Sequence, residues 1–201
     1  MGELTITTFL TMDGVMQAPG GPTEDLSGGF QHGGWLVPFA DEDMDKTMTE
    51  IFSKADAFLL GRATYDIFYA YWPKVTDAVD PVASKLNTLP KFVASRTQTT
   101  FSWSGATHVR DVVAEVGNLK QRFSRELQVH GSGDLAQTLI ENNLIDEYRL
   151  LTFPVILGTG KRLFGAGTVP ATLKLVKTYA TRTGAIFSVY RPTGALKTGS
   201  F

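Results

Sequence analysis

The sequence predicts an α/β fold: a mixed, mostly parallel central sheet flanked by helices and finished by an antiparallel C-terminal strand pair. Three observations point to it. From residue 41 to residue 143, apolar β-branched runs alternate with helical patterns, as parallel strands joined by crossover helices require. The last three runs, 147–157, 171–181 and 185–191, have no helix between them and so should pair antiparallel. Finally, 201 residues with 43% hydrophobic content suffice for one sizeable core, so residues 1–201 are expected to form a single domain.

Each element has its own signal. Residues 4–10 (LTITTFL) read as a strand buried on both faces, ending at the turn-forming pair Asp13-Gly14. Between Gln17 and Pro38 the chain holds six glycines and three prolines, so no regular element should persist there. A loop of this length in a small domain is expected to be a lid or binding loop, since Phe30, His32 and Trp35 are costly to expose. Asp41, Glu42 and Asp43 load negative charge onto a helix start, and Met44, Met48, Ile51, Phe52 and Ala55 follow at helical spacing. After them come strand 57–61, helix 64–72, a proline-bounded helix at 81–88 and strand 91–95. A short strand at 106–109, helix 111–123, strand 126–131 and helix 134–143 complete the alternating part.

Composition narrows the function classes. Nineteen Lys and Arg against 20 Asp and Glu give a formal charge of −1, without the excess that nucleic-acid phosphates demand. No cysteine is present, which removes disulfides, thiol nucleophiles and Cys-based metal sites. His32, His108 and His130 are scattered away from metal-ligand spacing, so no metal is expected. No stretch approaches the ~20 apolar residues of a membrane span, and a cytoplasmic protein is the expectation. Tyr65, Tyr69, Tyr71 and Trp72 fall on one short helix and read as packing residues.

Three strand ends carry residues suited to phosphate. In an open α/β sheet, ligands gather beyond the carboxyl ends of the parallel strands, where turns run into helix N-termini. Strand 57–61 ends in Gly61-Arg62-Ala63-Thr64, strand 91–95 in Ser95-Arg96-Thr97, and strand 126–131 in Gly131-Ser132-Gly133-Asp134-Leu135. Glycine permits close approach, the guanidinium offers a fork of donors, and a free helix start favours a diphosphate. Each turn also has a purely structural reading: Arg62 and Arg96 pairing with surface carboxylates, Ser132 or Asp134 capping the helix. Together, at equivalent ends of neighbouring strands, they suit a dinucleotide bearing an extra 2′-phosphate. Gly131, Gly133 and Ala136 also fit G-x-G-x-x-[GA], but the acid expected about 20 residues on is missing, because that region reads Leu151-Thr152-Phe153-Pro154.

In this order the motifs resemble the dihydrofolate reductase-like superfamily, and most closely its bacterial riboflavin-biosynthesis reductase branch. Thr11-Met12-Asp13-Gly14 resembles the end of that superfamily's first strand, Gly61-Arg62-Ala63-Thr64-Tyr65 its G-R-x-T-[WY] turn, and PVILGTGKRLF (154–164) the P-x-x-x-G-x-G-x-x-L-F segment of the riboflavin-type branch. The resemblance implies a dihydrofolate reductase-like fold and NADPH as cofactor. Arg62, Ser95 and Arg96 would hold the 2′-phosphate. Gly61, Thr64 and the turn Gly131, Ser132, Gly133, Asp134 and Leu135 would hold the diphosphate. The backbone of Val15 and Met16 would hold the nicotinamide, under the loop 17–38. For the substrate end it implies Trp35, Asp41, Thr152 and Asp13, although Asp41 falls one residue later than the W-x-x-P-x-[DE] pattern places its acid. The implied activity is hydride transfer to a small heteroaromatic or carbonyl substrate, pterin-, pyrimidine- or quinone-like, by a homodimer. The alternatives are 5-amino-6-(5-phosphoribosylamino)uracil reductase-type activity, a non-catalytic NADP-binding protein, and a flavin-binding module.

Overall fold

The computed structural model describes residues 1–77, 79–166 and 168–200. Its centre is an eight-stranded sheet in the order β4-β3-β2-β5-β1-β6-β8-β7. The strands are β1 (Glu3–Thr11), β2 (Ala55–Gly61), β3 (Lys91–Ala94), β4 (Ala106–Val109), β5 (Glu126–His130), β6 (Glu147–Phe153), β7 (Ala171–Ala180) and β8 (Ile186–Ala195). From β4 through β6 every neighbouring pair is parallel, and β6–β8 and β8–β7 are antiparallel, as the missing helices between the last three runs predict.

Five helices cover the sheet: α1 (Glu42–Ser53), α2 (Arg62–Tyr71), α3 (Pro81–Thr88), α4 (Val112–Arg122) and α5 (Gly133–Glu141). The period-2 alternation of β2 sorts them into two layers. Ala57 and Leu59 pack with Val116 of α4 and Leu139 of α5, whereas Phe58 and Leu60 pack with Phe52, Tyr65 and Leu86 from α1, α2 and α3. Strand β1 is central, and Leu4, Ile6, Thr7 and Thr8 are all buried, as its unbroken apolar and β-branched run requires.

Sequence and structure differ mainly at element ends. Ala55 completes an apolar stripe in the sequence, yet it opens β2, since α1 ends at Ser53 with Lys54 as its C-cap. Helix α2 begins at Arg62, directly after Gly61. Strand β6 stops at Phe153, because Pro154 has no N–H to donate to the ladder. Within the Gly/Pro-rich segment 17–38 the chain still forms single 3₁₀ turns at Ser27–Gly29 and Val37–Phe39, too short to count as helices.

Candidate active site

The carboxyl ends of β3, β2 and β5 lie side by side, and a cleft of about 1650 Å3 opens above them. Its floor is made by Gly61–Thr64, Ala94–Thr97 and His130–Leu135, and its far wall by Thr7–Phe9 of β1, the 16–25 segment and one face of α1. All the residues expected at the cofactor except Val15 line this one cavity.

Two of the turns are stitched together. The Ser132 hydroxyl accepts the Gly61 N–H at 2.9 Å and donates to the His130 carbonyl at 3.0 Å, while the Ser132 N–H donates to the Thr64 hydroxyl at 3.0 Å. Ser132 therefore does not cap α5, although it occupies the N-cap position. Its backbone is left-handed (φ 59°, ψ 56°) and follows Gly131 at φ 55°, a conformation held by these cross-links and costly for a non-glycine residue. With no side-chain cap, the N–H groups of the first turn of α5 remain available at the cleft, where the helix dipole favours an anion. Asp134 stands in that first turn, and Leu135 turns its side chain into the core.

The arginines differ. Arg62 forms an ion pair with Asp66 one helical turn on, at 2.5 Å, whereas Arg96 makes no ion pair with a described residue. A third arginine, Arg110, follows β4 directly and lines the same cleft. Sequence reasoning missed it, although its signal, an arginine immediately beyond a strand, is the one that marked Arg62 and Arg96.

Several expected site residues lie elsewhere. The backbone of Val15 is consumed internally: its N–H donates to the Thr11 hydroxyl and its carbonyl accepts the Thr11 N–H. The Met16 N–H goes to the Lys161 carbonyl, so Met16 reaches the cleft through its side chain, next to Gly133. Asp41 is the N-cap of α1, accepting the Met44 N–H at 2.8 Å and the Thr183 N–H and hydroxyl at 3.0 and 2.9 Å. The Met44 N–H, more than any other group, lowers its carboxyl to about 2, and a carboxyl so held is a structural anion that has no proton to give near neutrality. Asp13 is likewise lowered to about 2, chiefly by the Thr11 hydroxyl; it also accepts from Leu157 and Gly158 N–H and pairs with Arg162, tying the first turn to the 154–164 segment. Trp35 is buried, donating from its indole to the Gln17 carbonyl and packing edge-on against Phe153. Thr152 sits within β6 between Leu10 and Ile186. None of these four lines the cleft.

Other groups do. The buried hydroxyls of Thr7 and Thr8 have no hydrogen-bond partner among the described residues, and both residues line the cleft. Glu24, from the 17–38 segment, accepts the Gly20 N–H at 2.6 Å, and burial raises its carboxyl above the ordinary range. His130 is stacked on Phe52 and donates to the Gln128 side-chain carbonyl at 3.1 Å; burial lowers it to about 3, so it is neutral and structural. Thr7 and Thr8 carry no signal in a β-branched strand, and Glu24 none in a loop without regular structure.

Residues 3–187 match the RibD C-terminal domain. The chain belongs to that family. Within reach of it, protein YyaP of Bacillus subtilis (strain 168) is 29% identical over 198 residues, 96% of either chain. A solved putative riboflavin biosynthesis protein from Shewanella sp. PV-4 superposes with a TM-score of 0.72 at 20% identity, over 95% of this chain and 99% of that one. Dihydrofolate reductase from Enterococcus faecalis, solved in complex with NADP(H), superposes with a TM-score of 0.61 at 14% identity, over 96% and 97%. The RibD C-terminal chain described here thus has the dihydrofolate reductase-like fold that its motif order implies.

Proposed function

We propose that this protein is an NADPH-dependent reductase that delivers a hydride to a small ring or carbonyl substrate. The observation that carries the reading is the convergence of the 61–64, 94–97 and 131–135 turns on one cleft, with free N–H groups at α5 and arginines beyond three neighbouring strands. The family and the shared fold support the reaction class. The residues present fit the nucleotide: Arg96 and Arg110 suit the 2′-phosphate, Thr64 and the first turn of α5 suit the diphosphate, and the unpaired Thr7 and Thr8 hydroxyls suit polar groups of a bound ring. When bound, NADPH supplies the hydride, and the substrate completes its reduction with one proton. The chain's part is to position the reactants, to exclude water with the 16–25 segment, and to hold a proton at the Glu24 carboxyl.

In this reading the protein works in the cytoplasm on a small molecule, without nucleic acid or membrane. Among the described residues no helix is long and apolar enough to cross a bilayer. It pairs as a homodimer, supported by Leu175 and Val176, exposed on edge strand β7, and light scattering tests the pairing. The decisive experiment on the cofactor is calorimetric titration with NADPH and NADH in parallel. NADPH binding at least tenfold tighter supports the proposal, and equal or absent binding removes it.

A further inference from the structure

Charge is divided unequally along the cleft. Among the described residues its cations are Arg62, Arg96, Arg110 and Lys161. The three arginines stand beyond β2, β3 and β4, on the side assigned above to the nucleotide. Lys161, on the opposite side, is already neutralised by Asp25 at 2.8 Å. That opposite side also carries Glu24 and Asp45. An anionic group placed there meets the Asp45 carboxylate and, among the described residues, no unpaired cation.

The rest of that side is apolar and continuous. Met48 belongs to two clusters at once: with Phe9, Leu36 and Met44 at the end of β1, and with Phe52 and Phe68 between α1 and α2. The groove between the helices runs out to Tyr71, whose side chain is largely exposed, and all these residues line the cleft. A flat ring seated here would rest on methionine and aromatic side chains, with the hydroxyl of Thr7, which shares its sheet face with Phe9 and His130, as its buried polar contact.

We infer that the substrate is an uncharged aromatic or heteroaromatic ring with an apolar extension, bearing neither the phosphate of a phosphoribosylated pyrimidine nor the carboxylates of a folate tail. The inference rests on the reading that the arginine side of the cleft holds the nucleotide. Phosphate recognition requires a directed cation or an array of free N–H groups, and among the described residues the apolar groove between α1 and α2 offers neither.

A matched pair of probes tests it: 1,4-naphthoquinone and 1,4-naphthoquinone-2-sulfonate, which share a ring and differ by one negative charge. The chain has no cysteine for either quinone to modify. Binding is followed by quenching of tryptophan fluorescence, since Trp72 lines the groove. One series uses protein saturated with NADP⁺. A second uses Arg62→Ala/Arg96→Ala/Arg110→Ala protein without nucleotide, so that none of the three arginines can hold the sulfonate and the result stands even where the nucleotide reading fails. The expected result in both series is naphthoquinone binding at least tenfold tighter than the sulfonate. Tyr71→Arg, at a position that tolerates a long polar side chain, then tightens the sulfonate at least fivefold, and Met48→Lys acts in the same direction. A ratio below tenfold, no binding of naphthoquinone, or no response of the sulfonate to Tyr71→Arg overturns the inference. Failure of NADPH to bind, with the second series as expected, overturns the nucleotide assignment instead.

Discussion

Replacing Arg96 by alanine should cost NADPH affinity more than replacing Arg62, although the two hold equivalent places beyond neighbouring strands. Arg62 already spends its charge on Asp66 at 2.5 Å, and both partners are nearly half exposed. To reach a 2′-phosphate it must give up or share a pair worth about 0.3–0.5 kcal/mol. Arg96 has no such competitor among the described residues. A hydrogen bond to a charged group contributes about 1.5–3 kcal/mol, and solvent exposure with salt screening moves Arg96 to the lower end of that range. Arg96→Ala is therefore expected to weaken NADPH roughly tenfold, Arg62→Ala by about four- to sixfold, and neither to change NADH, which lacks the phosphate. Asp66→Asn should tighten NADPH by about twofold, because it frees Arg62. Calorimetry with both nucleotides at two salt concentrations reads all of this. Equal losses for NADPH and NADH, or a larger loss at Arg62, would refute the assignment of these arginines to the 2′-phosphate.

Other expectations follow from the same contacts. Glu24→Gln should lower turnover while leaving NADPH affinity intact; because the carboxyl is raised, the parent rate should fall as pH rises through its pKa, and the variant should lose that dependence in a steady-state pH profile. Asp41→Ala should lower the melting temperature and leave nucleotide affinity and turnover alone, the opposite of what a proton donor would do. His130 is held neutral, with its value lowered from 6.5 to about 3, so the unfolded chain binds the extra proton and stability falls as pH drops below 6.5, by about 1.4 kcal/mol per unit down to about pH 3. Urea unfolding from pH 7 to pH 5 checks it, with His130→Gln as the variant that loses this slope. Arg149 is buried between Glu126 and Glu147 at 2.7–2.8 Å, and Arg149→Met should cost about 3 kcal/mol in urea unfolding because buried Glu126 loses its cation while Glu147 keeps only Arg191.

Much of the molecule was legible in the residues themselves. Strand and helix signals are local: β-branched runs, helical spacing, and Pro and Gly at boundaries act over a few residues, and strand-helix alternation then restricts the sheet to parallel pairing until the helices run out at β6. The turns proposed to hold the nucleotide were legible for the same reason, since a turn between a strand and a helix contains its own candidate ligand groups within five residues. The proposed substrate side was not. Asp41 and Asp13 look chemically able in the sequence, but whether a carboxylate is a cap, a brace or an acid depends on Thr183, Leu157 and Gly158, all more than 140 residues away. Only the folded chain brings those N–H groups within reach and so fixes both carboxylates as structural anions. Only the fold, too, sets Glu24 and the unpaired Thr7 and Thr8 into one cavity, and joins α1 to α2 as an apolar groove. The sequence alone determined the elements, the order of the parallel strands' turns and the kind of ligand those turns suit. The tertiary structure decided which polar groups are used up in holding the chain together and which are left over for chemistry, because that depends on hydrogen-bond partners distant in sequence.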